Sequence, residues 1–178
     1  MNTRAIRGQD REMRLLATLA ICVSMAAFFT YYQRGCILLY GDAVAHINIA
    51  RRVFDSRTPG PLQLGTVWLP LPHLLILPFI VPTDAWQSGV GGSIPSMIFY
   101  VLGVVGISRL VRDALSEGAE PGPAARLAAW LAAIIYGANP NLIYLQSTAM
   151  TESLYLGLFV WAAVFFNRYL KESRVASG

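Results

Sequence analysis

The chain has 178 residues, of which 55% are hydrophobic and 13% charged, and it carries a formal net charge of +4. A soluble domain of this length carries about a quarter charged residues, so the composition excludes an ordinary water-soluble domain. The basic residues gather at the ends of apolar blocks, which signals membrane orientation and excludes a nucleic-acid stripe.

Residues 1–14 form a basic tail in which Arg4, Arg7, Arg11 and Arg14 precede an apolar run, as in a secretory signal. The run Leu15–Tyr32 is long enough to span at ~1.5 Å rise per residue, and no small-x-small cleavage site follows it. It is therefore an uncleaved first span (15–32), closed by Tyr31 and Tyr32 as an interfacial belt. Cys22 lies inside this block and Cys36 beyond its end, a separation along the helix axis that argues against an intrachain disulfide. No CxxC or His/Cys spacing suggests structural zinc.

Residues 33–93 make a long loop too polar to cross the bilayer. Gly41 breaks the chain, Asp42 suits a helix N-cap, and Ala43 to about Asp55 is expected to be helical, with Val44, Ile47, Ala50 or Arg51, and Phe54 along one face. Thr58-Pro59-Gly60-Pro61 stops that helix. Leu74–Val81 is too short to span and too apolar for water, which predicts an interfacial or re-entrant helix flanked by Trp68 and His73 as interface anchors. The second span covers 94–112. A cytoplasmic linker, 113–126, contains Glu-Gly-Ala-Glu-Pro-Gly-Pro at Glu117–Pro123. The third span, 127–145, meets Asn139-Pro140-Asn141, where Pro140 kinks it or ends it early. An outward turn (146–153), a fourth span (154–170) and a basic tail (171–178) complete the chain.

The expected fold class is an all-α integral membrane bundle of about four spans, with juxtamembrane helices in its long first outward loop. An even number of spans puts both termini on one side. The basic clusters beside the spans make that side cytoplasmic, so 33–93 and 146–153 face outward together.

Asp42 is the first candidate for chemistry. A carboxylate at the membrane face can accept a proton from an acceptor nucleophile, or hold a divalent cation beside a phosphate; equally, it can simply cap its helix. His46 follows one turn later, as a ligand group or an ordinary neighbour. Arg51, Arg52 and Arg57 suit bidentate phosphate recognition, and equally lipid headgroups or pairing with Asp55. Glu152, at the outer start of span four, is a boundary ionisable group of functional type or a favourable anion at a helix N-terminus. No P-loop, nucleophile elbow or HExxH zinc motif occurs.

Tyr40-Gly41-Asp42-Ala43-Val44-Ala45-His46, Ala50-Arg51-Arg52, Gly65 and Trp68-Leu69-Pro70-Leu71-Pro72-His73 resemble the first outward loop of the GT-C glycosyltransferases, in particular the bacterial relatives of the protein mannosyltransferases and aminoarabinose transferases. Asn139-Pro140-Asn141 through Thr148-Ala149-Met150-Thr151-Glu152 is similar to the turn between the third and fourth spans of that group. The resemblance implies a polyprenyl-phosphate sugar as donor, transfer to an acceptor on the outer face of the bacterial inner membrane, and a catalytic or metal-binding role for Asp42. His46, Arg51, Arg52 and Glu152 are then expected to bind substrate, with a divalent cation (Mg or Mn) as the candidate cofactor. The chain departs from the family in carrying Ala43 where many members have a second acid. It also has fewer spans than the family's catalytic units, which predicts a missing C-terminal membrane region or partner subunit. Two other classes remain open. One is a non-catalytic membrane subunit whose loop binds a partner. The other is half of a transporter, although spans two to four lack the buried charges of a midplane site.

Overall fold

The computed structural model describes residues 3–64, 67–116 and 121–177. Gly65 of the resembling motif and linker residues 117–120 lie outside the described residues, as do the side chains of Arg4, Arg7 and Arg174. Among the described residues the chain is helical and contains no strand.

Helix α1 (Thr3–Gln33) runs unbroken from the basic tail through the first apolar block. It ends where Gly35 adopts φ +67°, and the Gly35 and Cys36 N–H groups donate back to Tyr32 O and Tyr31 O at 3.0 and 2.9 Å. That left-handed glycine closes the helix by giving partners to carbonyls that the last turn would otherwise orphan. Three short α-helices and two 3-10 turns follow within the described part of the loop: α2 (Gly41–Arg51), a 3-10 turn at Pro61–Gln63, α3 (Pro70–Ile76) running into a second 3-10 turn at Leu77–Phe79, and α4 (Thr83–Gln87). The apolar stretch from Leu74 is thus shared between the end of α3 and that 3-10 turn, with no single helix covering it. Pro70 and Pro72 start α3, and Pro78 lies in the turn that ends it.

The remaining helices are α5 (Val90–Ala114), α6 (Pro123–Gly137), α7 (Pro140–Leu145) and α8 (Glu152–Ser177). The apolar block 127–145 is divided between two of them. Asn139 caps α7, its Oδ1 accepting from the Asn141 and Leu142 N–H groups at 3.0 and 3.3 Å, and Pro140 occupies the first helical position. A proline that cannot continue one helix here begins the next. The Tyr100 hydroxyl donates to Gly137 O at 2.6 Å and so caps the end of α6.

Three segments are long and apolar enough to cross a membrane: Asp10–Gln33, Val90–Ala114 and Glu152–Ser173. Helix α6 has 15 residues, short of the ~20 that a bilayer core needs. The burial pattern suits lipid. On α5 the buried positions include Gly91, Gly92, Ser93, Ser96, Gly103, Gly106 and Ser108, while Leu19, Ile21, Phe29, Ile135, Phe159 and Phe166 are exposed on its neighbours. Small residues let helix backbones approach where the hydrophobic effect supplies no drive. A Cβ at Gly106 would meet Val160 and Trp161 of α8, and one at Gly103 would meet the Tyr136 ring of α6. These features suit a helical membrane protein, with α5 at the centre of the bundle.

One end of the bundle is basic. Glu12 pairs with Arg112 at 3.9 Å and with Arg126, while Asp113 pairs with Arg109 and Arg168 at 3.9 and 3.5 Å. The described part of the N-terminal tail and the end of α8 therefore share one end. The 34–89 loop and the turn before α8 occupy the other. That loop is held by a small core in which Ala43, Ile47 and Ala50 of α2 pack with Ile76, Ile80, Ala149 and Met150. The buried residues of α2 are Ala43, His46, Ile47, Ile49 and Ala50, with Val44 half-buried and Phe54, beyond its end, exposed. The expected face was rotated because His46 was not counted as a core residue.

A Cβ at Gly157 would press on the Phe99 backbone, which cannot yield as a side-chain tip can. Gly157→Ala is expected to destabilise the protein by about 1–3 kcal/mol, the usual effect of overpacking. Gly8→Ala, in the open part of α1 with nothing nearby, should be neutral or stabilising. Thermal unfolding in detergent compares the two, and equal behaviour would mean that α5 and α8 do not approach this closely.

Candidate functional site

The first loop helix orders the site. Tyr40 is the N-cap of α2 and supplies no side-chain cap. Asp42 is therefore not the cap that its residue type suggests. It sits one position inside the first turn, where a carboxylate still favours the positive end of the helix. Its side chain is exposed and, among the described residues, makes no hydrogen bond or ion pair.

His46, one turn on, points into the protein and is 2% exposed. Its Nδ1 lies 3.0 Å from Nε2 of His73, which is 0% exposed. These are the two histidines of the chain. The Trp68 ring packs on His46 with centroids 4.6 Å apart. The reading of His73 as an interface anchor is corrected: it is a core residue partnered by His46. Trp68 is half-buried against the same ring. Burial lowers the pKa of His46 against the opposing pull of Asp42 and Glu152. Burial first, and then the charge of His46, lowers that of His73 to about 4. Both rings are thus neutral near pH 7.

Glu152 opens α8, is half-buried, and has an Oε2 with no hydrogen-bond partner in the protein. Ala43 beside Asp42 packs in one core with Ala149 and Met150, just before Glu152, so these sequence candidates and His46 lie at the same end of the bundle. The turn preceding Glu152 is pinned from several sides. Gln146 is fully buried; its Oε1 accepts from Ser24 Oγ at 2.6 Å and its Nε2 donates to Ser147 Oγ at 2.8 Å. Ser93 and Ser96 of α5 donate to Ser147 O and Met150 O at 2.9 and 2.7 Å. Sequence reading passed over this polar knot, although Gln-Ser-Thr between two apolar runs was a visible signal.

The arginines separate. Arg51 turns back into the protein: Nη1 donates to Ile80 O and Val81 O, both at 2.8 Å, and its guanidinium lies 5.0 Å over the Trp86 ring. Asp55 stands 3.7 Å from its Nε. Arg51 therefore clamps α2 to the chain between α3 and α4, the structural reading of this residue and not the phosphate reading. Arg52 and Arg57 remain exposed. As for a metal, no three His, Cys, Asp or Glu side chains among the described residues converge as a ligand set. Asp42, His46 and Glu152 therefore do not by themselves fit a resident Mg or Mn ion. Both cysteines are free. The chain matches no protein-family model, no curated protein and no solved structure.

Lysine cannot reproduce the fork that Arg51 places on two carbonyls. Arg51→Lys should lower stability by about 1 kcal/mol, since it leaves the part-buried Ile80 carbonyl and the exposed Val81 carbonyl underserved. Arg52→Lys should change it by less than ~0.5 kcal/mol. Denaturant unfolding of the detergent-solubilised protein reads both. An Arg51→Lys protein with wild-type stability would remove the clamp.

Proposed function

We propose that the chain is the site-bearing part of a membrane glycosyltransferase of GT-C type. It moves a sugar from a polyprenyl-phosphate carrier to an acceptor on the outer face of a bacterial inner membrane. The observation that carries this reading is that Asp42, His46 and Glu152, on α2 and at the start of α8, lie at the same end of the bundle, opposite the basic cluster. Two acids and a neutral imidazole at a membrane surface suit a polyhydroxylated substrate. The resembling motifs supply the choice of a lipid-linked donor.

In this mechanism Asp42 takes the proton of the acceptor group, acting directly because the described donors do not converge on a cation site. The acceptor atom bonds to the anomeric carbon as the bond to the phosphate oxygen breaks. The electron pair leaves with the polyprenyl phosphate. With Arg51 held on Ile80 O and Val81 O, Arg52 is the arginine of the pair free to meet that phosphate. The proposed topology has four crossings, with α6 and α7 together making the third and the basic end in the cytoplasm. Three exposed apolar residues of the loop, Leu62 at 96%, Val67 at 84% and Leu69 at 80%, favour a second reading. In it the loop docks a partner and the chain is a non-catalytic subunit.

Topology is checked by reporter fusions. Leu64 and Gln146 should report the outside and Ser173 the cytoplasm; a cytoplasmic Leu64 ends the proposal.

For the chemistry, Asp42→Asn in the complete protein removes the charge but leaves the helix start, since Tyr40 is the cap. Membrane abundance should stay near normal while sugar transfer falls ~10²-fold or more, as for a removed acid or base. Wild-type transfer by this variant would leave the subunit reading in place.

A further inference from the structure

The basic end of the bundle holds a buried cation that its neighbours do not satisfy. Arg112, near the end of α5, is 3% exposed. Its Nη2 donates to Met13 Sδ at 3.1 Å, and a thioether is a weak acceptor. Its Nη1 stands 3.9 Å from Glu12 Oε2, an ion pair beyond hydrogen-bond reach. Its Nε is buried and has no partner among the described residues. Nε and Nη2 are the donors of one edge of the guanidinium, an edge that can take a phosphate or carboxylate through two parallel bonds. Leaving such an edge without an oxygen acceptor is costly for a desolvated ion.

The carboxylate beside it is divided. Glu12 gives Oε1 to a hydrogen bond from Arg126, which leaves Arg112 the more distant Oε2. Asp113, the neighbouring acid, pairs with Arg109 and Arg168. Four arginines thus share two carboxylates, an excess of two positive charges. Glu12, Met13, Ser108, Arg112, Arg126 and Trp130 line a narrow cleft between α1, α5 and α6, with no room for a water molecule as it stands. A ligand therefore enters only where a lining side chain yields. The Glu12 and Arg126 side chains, 22% and 54% exposed, are the ones that reach solvent.

We propose that Arg112 and Arg126 form a phosphate-binding site, in which Glu12 is a built-in competitor that a phosphate group displaces. The carboxylate has two oxygens and here bonds one guanidinium. A tetrahedral phosphate brings more oxygens and, as a monoester, more charge, so it can accept from both arginines at once. Two spanning segments meet this end of the bundle, which sets the site at the level of lipid headgroups. Its ligand is thus the phosphate of a headgroup or a phosphate free in solution. The site stands apart from the glycosyltransferase reading, whose residues lie at the other end.

Trp130 lines the cleft and reports on it. The full chain, labelled with fluorotryptophan and held in nonionic detergent without phosphate, carries four tryptophans, and Trp130→Phe assigns the relevant fluorine NMR signal. Inorganic phosphate should shift that signal saturably. Chloride at equal ionic strength should not, which separates binding from screening. Phosphatidylglycerol added to the micelles is the second probe. A response to the lipid alone assigns a headgroup, a response to inorganic phosphate alone assigns a free ligand, and either sustains the site. Glu12→Gln removes the competing charge and should tighten binding about tenfold, the scale of one hydrogen bond to an ion. Arg126→Gln should weaken it by about the same factor. Arg112→Lys keeps the buried charge without the fork and should also weaken it. Because Arg126 is the more exposed of the pair, its variant tests the site even where an Arg112 variant fails to fold. Saturating ligand should raise the melting temperature of Glu12→Gln more than that of wild type.

A purely structural ion pair predicts lost stability and no gain in binding for Glu12→Gln. That result, no response to either probe, or binding that Arg126→Gln and Arg112→Lys leave unchanged would each overturn the inference. Glu117→Gln combined with Glu120→Gln tests the acids of the linker. Tightening there in place of Glu12→Gln would overturn the role given to Glu12.

Discussion

A backbone that leaves the helix inside a membrane bundle must find all its hydrogen bonds within the protein, since lipid offers none. Residues 146–151 leave the helix and answer much of that demand with partners from α1, α5 and their own turn, and the candidate site hangs on how they do so. Ser24 lies well inside α1, about 13 Å from its Gln33 end at 1.5 Å rise per residue, yet it bonds with Gln146. Ser93 and Ser96 of α5 reach Ser147 O and Met150 O. Gln146, Ser147 and Thr148 are fully buried, so this is no solvated surface turn. The same stretch delivers Ala149 and Met150 to the core beneath α2, and it sets the point where α8 begins, at Glu152. Loss of one serine bond would thus disturb the seat of α2 and the position of Glu152 together.

Helix α5 makes this arrangement affordable in space. Gly92 lies against Ala149 and Ile47, so the turn and the loop helix can both approach its axis. Farther along, Gly103 and Gly106 admit Tyr136 and Val160. The large apolar side chains, which in a soluble protein would form the core, are left on the outside for lipid. Packing is thus carried by small and hydroxylic residues, and the hydroxyls serve twice, filling space and satisfying the displaced backbone.

What the sequence made legible follows from the range of each interaction. The three long helices announce themselves because hydropathy sums over a contiguous window. The break near Pro140 was legible as a local steric fact, but that Asn139 restarts a helix depended on its side chain finding the Asn141 and Leu142 N–H groups. Asp42 looked like a cap because Asp is a good one. Tyr40 took the position because Gly41 already lies in the helix, and residue type alone does not set that register. Arg51 and Arg52 are neighbours in sequence but differ by about 100° around a helix of 3.6 residues per turn. One therefore faces Ile80 O and the other water. The meeting of His46 and His73 across 27 residues has no periodic signature at all. It exists because α3 crosses α2, a tertiary fact carried by the apolar set Ile47, Ile76 and Ile80.

The electrostatics of that meeting bear on what kind of ligand the site can accept. Burial keeps both rings uncharged, overriding the pull of Asp42 and Glu152 on His46. The guanidinium nearest in sequence, Arg51, is engaged with backbone carbonyls, Asp55 and the Trp86 face. What remains beside His46 is two carboxylates with no fixed cation among the groups that act on it. A full anion placed there would meet repulsion in a low-dielectric setting, where charges are poorly screened. A lipid-linked sugar, the substrate proposed above, carries neutral hydroxyls as well as an anion, and on that proposal its phosphate would meet the exposed Arg52 at the end of α2.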